Sequence, residues 1–416
     1  MTGSSKSAPA PSRTFLSVGG ARRQIEALEI DTRLLAMLAT LVVIGLFFNV
    51  ATGGIFLSPR NLYNLTLQTS VTAVMACGMV IVIVARHIDL SVGSLMGMMG
   101  VLAAVLQVHV LPTGAWYNWV VSLVLALAAG AVIGGFQGYW VAYRRLPSFI
   151  VTLAGMLAWR GGAWLLAGGT NISPMDERFQ MLGGGLEGAI GPVWSWVVGI
   201  VAIVAWAGVA VDARRRRAKL GLAARPLSAE IAIVAIFSVA VVAFVLTMNS
   251  YLHPIRKTPM GIPIPVLILS VVVTIISAMC AMTKFGRYIY GIGGNPEAAV
   301  LAGINVKLVT TFIFVIMGML CALSACISIA RLNAAPTSLG EMEELSVIAA
   351  AVIGGASLMG GSGTAAGAII GALIMQSLRN GMVLIGIQSS VQQLILAGVL
   401  ILAVWFDVWY QQFKRR

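Results

Sequence analysis

The chain has 416 residues, of which 59% are hydrophobic and 10% are charged, with a formal net charge of +13. Soluble domains carry about 25% charged and about 45–50% apolar residues, so this composition excludes a soluble fold and leaves lipid as the solvent. In lipid only helices and closed barrels satisfy their own backbone. Barrel strands alternate polar and apolar residues. Here the apolar runs are continuous and about 20 residues long, which predicts an all-α polytopic membrane protein.

Residues 1–33 bear Ser, Pro and Arg without an adjacent cleavage pattern. They predict a largely disordered cytoplasmic N-terminal tail. From 34 to 416 hydropathy predicts about 12 transmembrane helices. They lie near 34–52, 64–85, 92–111, 119–142, 149–168, 193–211, 229–248, 264–283, 307–330, 345–358, 364–378 and 390–408. With the N-terminus inside, the outer segments hold only Arg60, Arg178, Arg256, Lys257, Arg331 and Arg379. Arg160 falls within a span, and the other 20 of the 27 Lys and Arg residues lie inside, among them Arg86, Arg144, Arg145, Arg214 to Arg217, Arg225 and Lys414 to Arg416. Such a bias sets orientation. It accounts for the basic excess without nucleic acid and, with an even number of spans, puts both termini in the cytoplasm.

The spans near 345–358 and 364–378 are short and joined by Gly360-Gly361-Ser362-Gly363. They read as two spans, a hairpin or one broken element, and the even count favours two. Glycines four apart, Gly93 and Gly97, Gly130 and Gly134, and Gly363, Gly367 and Gly371, predict helix faces that let backbones approach closely.

Several chemistries are missing. None of the six lysines follows a glycine, so no standard phosphate-cradling loop can form. Neither a G-x-S-x-G elbow nor an H-E-x-x-H pair occurs. Cys77, Cys280, Cys321 and Cys326 lie in apolar runs and read as packing residues; His87, His109 and His253 are too scattered for a metal site. An enzyme is therefore not expected, nor any cofactor in this chain. Intramembrane charge is confined to Arg160, with Asp89 at one span end and Glu341, Glu343 and Glu344 at another. Ion-coupled carriers place acids at the midplane, so an ion-coupled secondary sugar carrier remains only as the alternative reading. Arg160 either faces a path or pairs with backbone carbonyls or the interface.

The loop 284–306 predicts a short helix of its own. Asn295 suits the N-cap, Pro296 the first helical position and Glu297 the positive N-terminus, while Gly294 tethers the helix and Gly303 stops it. A free helix this short is unstable in water. Ala298 and Ala299 keep it slim for a partner's groove; an ordered loop or a lipid-surface helix are the other readings.

Three segments carry a family resemblance. Gly286 to Ile304 is similar to the G-R-x-x-Y-x-I-G-G-N-x-x-A-A-x-x-x-G-I pattern of the permeases of ribose- and xylose-type ATP-binding-cassette importers. Ile88-Asp89-Leu90-Ser91-Val92-Gly93-Ser94 resembles their I-D-L-S-V-G-S, and the run from Glu344 to Gly371 their E-L-D-A-I-A-A-x-x-I-G-G-x-S-L-x-G-G-x-G, with Ser346 where the pattern has Asp. Trp140 to Arg144, Pro147 to Ala158 and the basic Arg214 to Leu222 look most like D-xylose permeases, and 192–250 looks like an insertion of two extra spans.

The resemblance implies a bacterial inner-membrane subunit that carries a monosaccharide such as D-xylose or a related pentose. It implies pairing with a second copy, binding of ATPase subunits that hold ATP and Mg, and delivery of sugar by a periplasmic binding protein. Gly294, Asn295, Pro296, Glu297, Ala298, Ala299 and Gly303 become the coupling element for the ATPase. Asp89, Ser91, Arg160, Glu344 and Gln392 are candidates for the translocation path, and Glu341 and Glu343 for docking of the binding protein. Gln68, Asn64, Gln137, Gln376 and Asn380 either line the path or bond helix to helix.

Overall fold

A computed structural model describes residues 32–221 and 227–415. Residues 1–31 of the expected N-terminal tail, Arg225 and Arg416 lie outside them, while Thr32 and Arg33, also expected in the tail, open the first helix. The described residues form fifteen α-helices and no strand, with only isolated bridges between loops. In chain order these are α1 (Thr32–Ala51), α2 (Pro59–Val84), α3 (Val92–Val105), α4 (Asn118–Ala142), α5 (Ser148–Leu166), α6 (Glu177–Gln180), α7 (Gly191–Lys219), α8 (Leu227–Ser250), α9 (Ile264–Met282), α10 (Lys284–Gly294), α11 (Pro296–Leu301), α12 (Val306–Leu332), α13 (Glu343–Ile353), α14 (Ala365–Leu384) and α15 (Ser389–Arg415).

Ten helices are long and apolar enough to cross a membrane: α1 to α5, with α3 extended by a π turn to Val110, then α7 to α9, α12 and α14. The chain is a multi-pass membrane protein. α15 adds a shorter apolar stretch, Ser389–Leu402. The span expected near 345–358 is instead α13, 11 residues long. At about 1.5 Å per residue it covers about half of a bilayer core about 30 Å thick. The rest of that passage is non-helical. Leu339 and Gly340 lie against the glycine face of α3, where a Cβ on Gly97 would come within 2.6 Å of the Leu339 carbonyl oxygen. Backbone covered in this way by protein needs no helix to satisfy it.

α2 is the central element, with 94% of its most apolar stretch buried, against 11% for α1, α7 and α8. The latter expose Val42, Val50, Val193, Ile200 and Val239, a coat of large apolar side chains that suits acyl chains. Glycine decides the tightest pairing. Gly130 and Gly134 of α4 sit on the Gly318 and Phe314 carbonyls of α12, and a Cβ on Gly138 would lie 2.8 Å from the Thr311 Cα. Gly367 and Gly371 of α14 pack likewise on Gly354 and on Ala350 of α13. Gly363, expected on the same face, precedes the helix, which begins at Ala365 behind the Thr364 cap.

Two ends of the bundle are distinct. One gathers Arg86, Arg144, Arg145, Lys284, Arg287 and Lys307 around the starts of α5, α10 and α12; Lys307 lies over the Tyr143 ring. The opposite end is closed by loop pairs, Ile172 with Ala335 and Ala189 with Pro263, and by the Arg256–Glu187 ion pair at 2.7 Å. The 192–250 stretch is the α7–α8 hairpin. It is tied at this second end, where the Ser195 hydroxyl accepts a hydrogen bond from the Ile262 amide at 2.8 Å.

Candidate functional site

At the basic end the loop 284–306 is two helices rather than one. α10 begins behind Thr283, whose hydroxyl accepts from the Gly286 amide at 3.1 Å. It buries Gly286, Ile289, Ile292 and Gly293 on one face, the i, i+3, i+7 spacing of a helix lying on a surface. Its far end is fastened to the bundle. Arg86 donates from Nε to the Gly293 carbonyl at 2.7 Å and from Nη2 to the Gly294 carbonyl at 2.9 Å, and the Tyr290 hydroxyl donates to the Gly363 carbonyl at 2.6 Å. The two Arg86 bonds satisfy carbonyls that the end of α10 leaves open.

α11 follows without a spacer. The Asn295 side chain accepts from the Ala298 amide at 3.0 Å, Pro296 occupies the first turn, and Gly303 closes the helix at φ +80, a conformation that suits glycine. The Ile304 amide bonds the Ala299 carbonyl at 3.1 Å. Ala299 is 4% exposed and faces the protein. It is therefore not part of a slim outer patch, because the buried face of a helix this short comes round within one turn. The exposed side carries Glu297, Ala298, Val300 and Leu301, with Leu301 88% exposed.

Toward the opposite end a cavity of about 510 Å³ opens between α2, α12, α13, α14 and α15. One hydrogen-bonded array crosses it. Arg379 on α14 donates from Nη1 to Oε1 of Glu343 on α13 at 2.5 Å. Thr72 on α2 donates to the other Glu343 oxygen at 3.3 Å, and the Gln376 amide donates to the Thr72 hydroxyl at 2.6 Å. Next to the array Asn61 donates to Oδ1 of Asn380 at 2.9 Å, tying α2 to α14. Arg331 on α12 also lines the cavity. Its Nε–H is buried without an acceptor.

The structure distributes the candidate residues unevenly. Gln392 lines the cavity, as do Gln68, Gln376 and Asn380. Asn64 is exposed elsewhere on α2. Asp89 and Ser91 lie in and beside the α2–α3 turn, buried and away from the cavity. Asp89 accepts from the Ser91 amide at 2.8 Å and hydroxyl at 2.7 Å, and Gln137 of α4 bonds the same hydroxyl at 2.9 Å. Burial pushes the Asp89 carboxyl up to about 6, against the opposing pull of the Ser91 hydrogen bonds. Beside it burial pushes the His87 imidazole down to about 4.

Arg160 takes the backbone option: its Nη1 donates to the Leu339 carbonyl at 3.1 Å. Glu344 is buried against Gly93, one carboxylate oxygen lacking a partner. Glu343 is held by Arg379 within the cavity and does not stand on a solvated rim; Glu341 is exposed. Arg331 and Arg379, counted in the sequence as cations of outer loops, belong to α12 and α14 and supply the cavity's guanidinium groups. Their signal was a lone arginine in the last turns of an apolar helix. The four cysteines are free thiols in or beside the packed core, and no cluster of His, Cys, Asp or Glu that could hold a metal occurs among the described residues.

Residues 61–404 match the family model described as the branched-chain amino acid transport system / permease component. The chain belongs to that family of permeases. The permease is 42% identical over 381 residues to the xylose transport system permease protein of Haemophilus influenzae, covering 91% of this chain and 97% of that protein. It is 38% identical over 405 residues to the xylose transport system permease protein of Escherichia coli K12, covering 97% and 98%. With the ribose import permease protein of Escherichia coli K12 it shares 33% over 394 residues, covering 95% and 98%. No solved structure matches the permease. These relatives are transport subunits, and the permease is placed with them and not with enzymes.

Proposed function

We propose that this permease is the membrane subunit of an ATP-driven monosaccharide importer in a bacterial inner membrane, carrying D-xylose or a related pentose. It works as a pair of copies with ATPase subunits on the basic face and a periplasmic binding protein opposite. The observation that carries the reading is α11, a capped helix that presents Val300 and Leu301 to solvent on the face where cations collect. Exposed large apolar side chains outside the membrane-crossing helices suit a partner's groove. α10, seated on the bundle by Ile289 and Ile292 and pinned by Arg86, would pass a push on α11 into α2. The relatives named for xylose and ribose support the sugar class.

The polar cavity at the other end is the outer part of the path in this reading. Its amide, hydroxyl and guanidinium lining suits hydroxyl groups better than a branched aliphatic side chain. Both termini lie on the cytoplasmic side of a chain that crosses twelve times. The tenth crossing is the non-helical segment through Leu339 and Gly340 followed by α13, and the twelfth is α15. The ATPase and the binding protein supply nucleotide chemistry and capture, so ATP and Mg belong to the ATPase.

The test is reconstitution in liposomes with the ATPase subunit and the binding protein. ATP-dependent accumulation of labelled D-xylose that survives ionophores is expected. Accumulation that needs an ion gradient and no ATPase would establish the ion-coupled carrier instead.

A further inference from the structure

We infer that the cavity holds a specific site for a neutral, polyhydroxylated sugar in which Arg331 is the free donor and the Glu343–Arg379 pair, braced by Thr72 and Gln376, is the fixed platform. This inference rests on the importer reading above and adds the residues that would recognise the sugar.

The first ground is size. The cavity, at about 510 Å³, is in the range of about 300–1,000 Å³ typical of small-molecule sites.

The second is charge. Arg331 and Arg379 face Glu341 and Glu343 across the same space. Arg379 and Glu343 already neutralise each other at 2.5 Å. With Arg331 and Glu341 also on the lining, two guanidinium groups meet two carboxylates, so the cavity has no excess charge that would select an ion, and the Arg379–Glu343 pair offers hydrogen-bonding groups in a fixed orientation.

The third is the count of uncommitted groups. The Arg331 Nε–H has no acceptor and is shut off from solvent. An unsatisfied buried donor carries a desolvation cost, larger when the group is charged, which an arriving acceptor removes. Gln376 spends one amide hydrogen on Thr72 and keeps its carbonyl oxygen as an acceptor. Glu343 receives one bond on each oxygen and, as a carboxylate, has about four lone-pair directions. A sugar hydroxyl both accepts and donates. Adjacent hydroxyls can accept from Arg331 while donating to Glu343 and Gln376, which leaves every group partnered. A site built to bond hydroxyls rejects an isomer that misplaces one, because buried polar groups are then left open.

The site is tested in the reconstituted assembly with loaded binding protein. The readouts are sugar moved per ATP hydrolysed and the ratio of D-xylose to D-ribose uptake. Arg331→Gln is expected to lower sugar moved per ATP at least tenfold while ATPase stimulation by the binding protein stays at the wild-type level, and Arg331→Lys is expected to restore part of the loss. Gln376→Leu, which leaves the ion pair in place, is expected to change the xylose-to-ribose ratio at least threefold, and it decides the matter should Arg331→Gln fail to assemble. Wild-type xylose uptake with both readouts unchanged in the variants would overturn the site alone. A wild-type assembly that moves an aliphatic amino acid and no pentose would overturn the importer's sugar class and the site with it.

Discussion

Arg86 and Gly293 lie 207 positions apart in the chain, yet the Arg86 guanidinium donates to the Gly293 carbonyl at 2.7 Å. The bond joins the end of the most buried helix, α2, to the last turn of α10, and α11 hangs directly from that turn through Asn295. A force on the exposed face of α11 therefore has a route into α2 through this bond, besides the direct packing of α11 on α12.

Replacing Arg86 with Ala removes both bonds to the α10 terminus. The site is partly open to water, so the loss is set at about 1–1.5 kcal/mol, the low end for hydrogen bonds to a charged group. Hydrogen exchange of amides in 284–303 should then quicken about tenfold. Membrane insertion should persist, while sugar moved per ATP falls. Exchange unchanged from wild type would show that Arg86 does not hold these helices.

Leu301→Asp is the direct probe of the partner surface. Leu301 is 88% exposed, so the change leaves internal packing alone. Retention of the ATPase subunit through purification should drop at least tenfold, with normal expression and thermal stability. Ala299 is the wrong place for such a probe: it is 4% exposed, and a large side chain there disturbs the protein before it meets any partner.

The α4–α12 contact can be tested with two neighbouring glycines. A methyl on Gly134 would collide with the Phe314 carbonyl, whereas one on Gly135 would sit 3.4 Å from Val315 Cγ2, an ordinary contact. Gly134→Ala should destabilise the purified permease by about 1–3 kcal/mol, as overpacking does. Gly135→Ala should leave thermal stability nearly unchanged. Equal effects of the two would refute this packing.

Asp89 predicts a pH dependence. Burial holds its carboxyl at about 6 in the folded protein, above the ordinary 3.8. The folded state therefore binds the proton more tightly than the unfolded one. The resulting stability is full below about 4 and is lost as pH rises through about 6. Asp89→Asn keeps an oxygen for the Ser91 donors and removes the titration. His87, held down to about 4, acts in the opposite sense over the same range, so thermal stability in detergent should change little between pH 4 and 6 for wild type and rise with pH for Asp89→Asn; parallel curves would show that another group controls the change.

Much of the site at the basic end was legible in local chemistry. Asn295, Pro296 and Gly303 are cap, first-turn and stop residues whose meaning depends on neighbours three or four positions away, and the helix runs where they put it. The preceding helix, α10, was hidden because its buried face is formed of glycines as much as of apolar residues, and glycine is a poor helix signal without the surface it packs on.

Run length and composition were enough to determine a polytopic helical membrane protein, since no other solvent accepts so many continuous apolar stretches. Motifs of about twenty residues were enough to determine the family. Only the tertiary structure decided that α13 is an 11-residue helix behind a non-helical segment, because neither hydropathy nor spacing reveals that Leu339 and Gly340 find cover on the glycines of α3. It also decided that Arg331, Glu343 and Arg379 share one cavity. These residues come from three helices, and what each does depends on which groups packing brings within bonding distance, a relation that sequence separation does not encode.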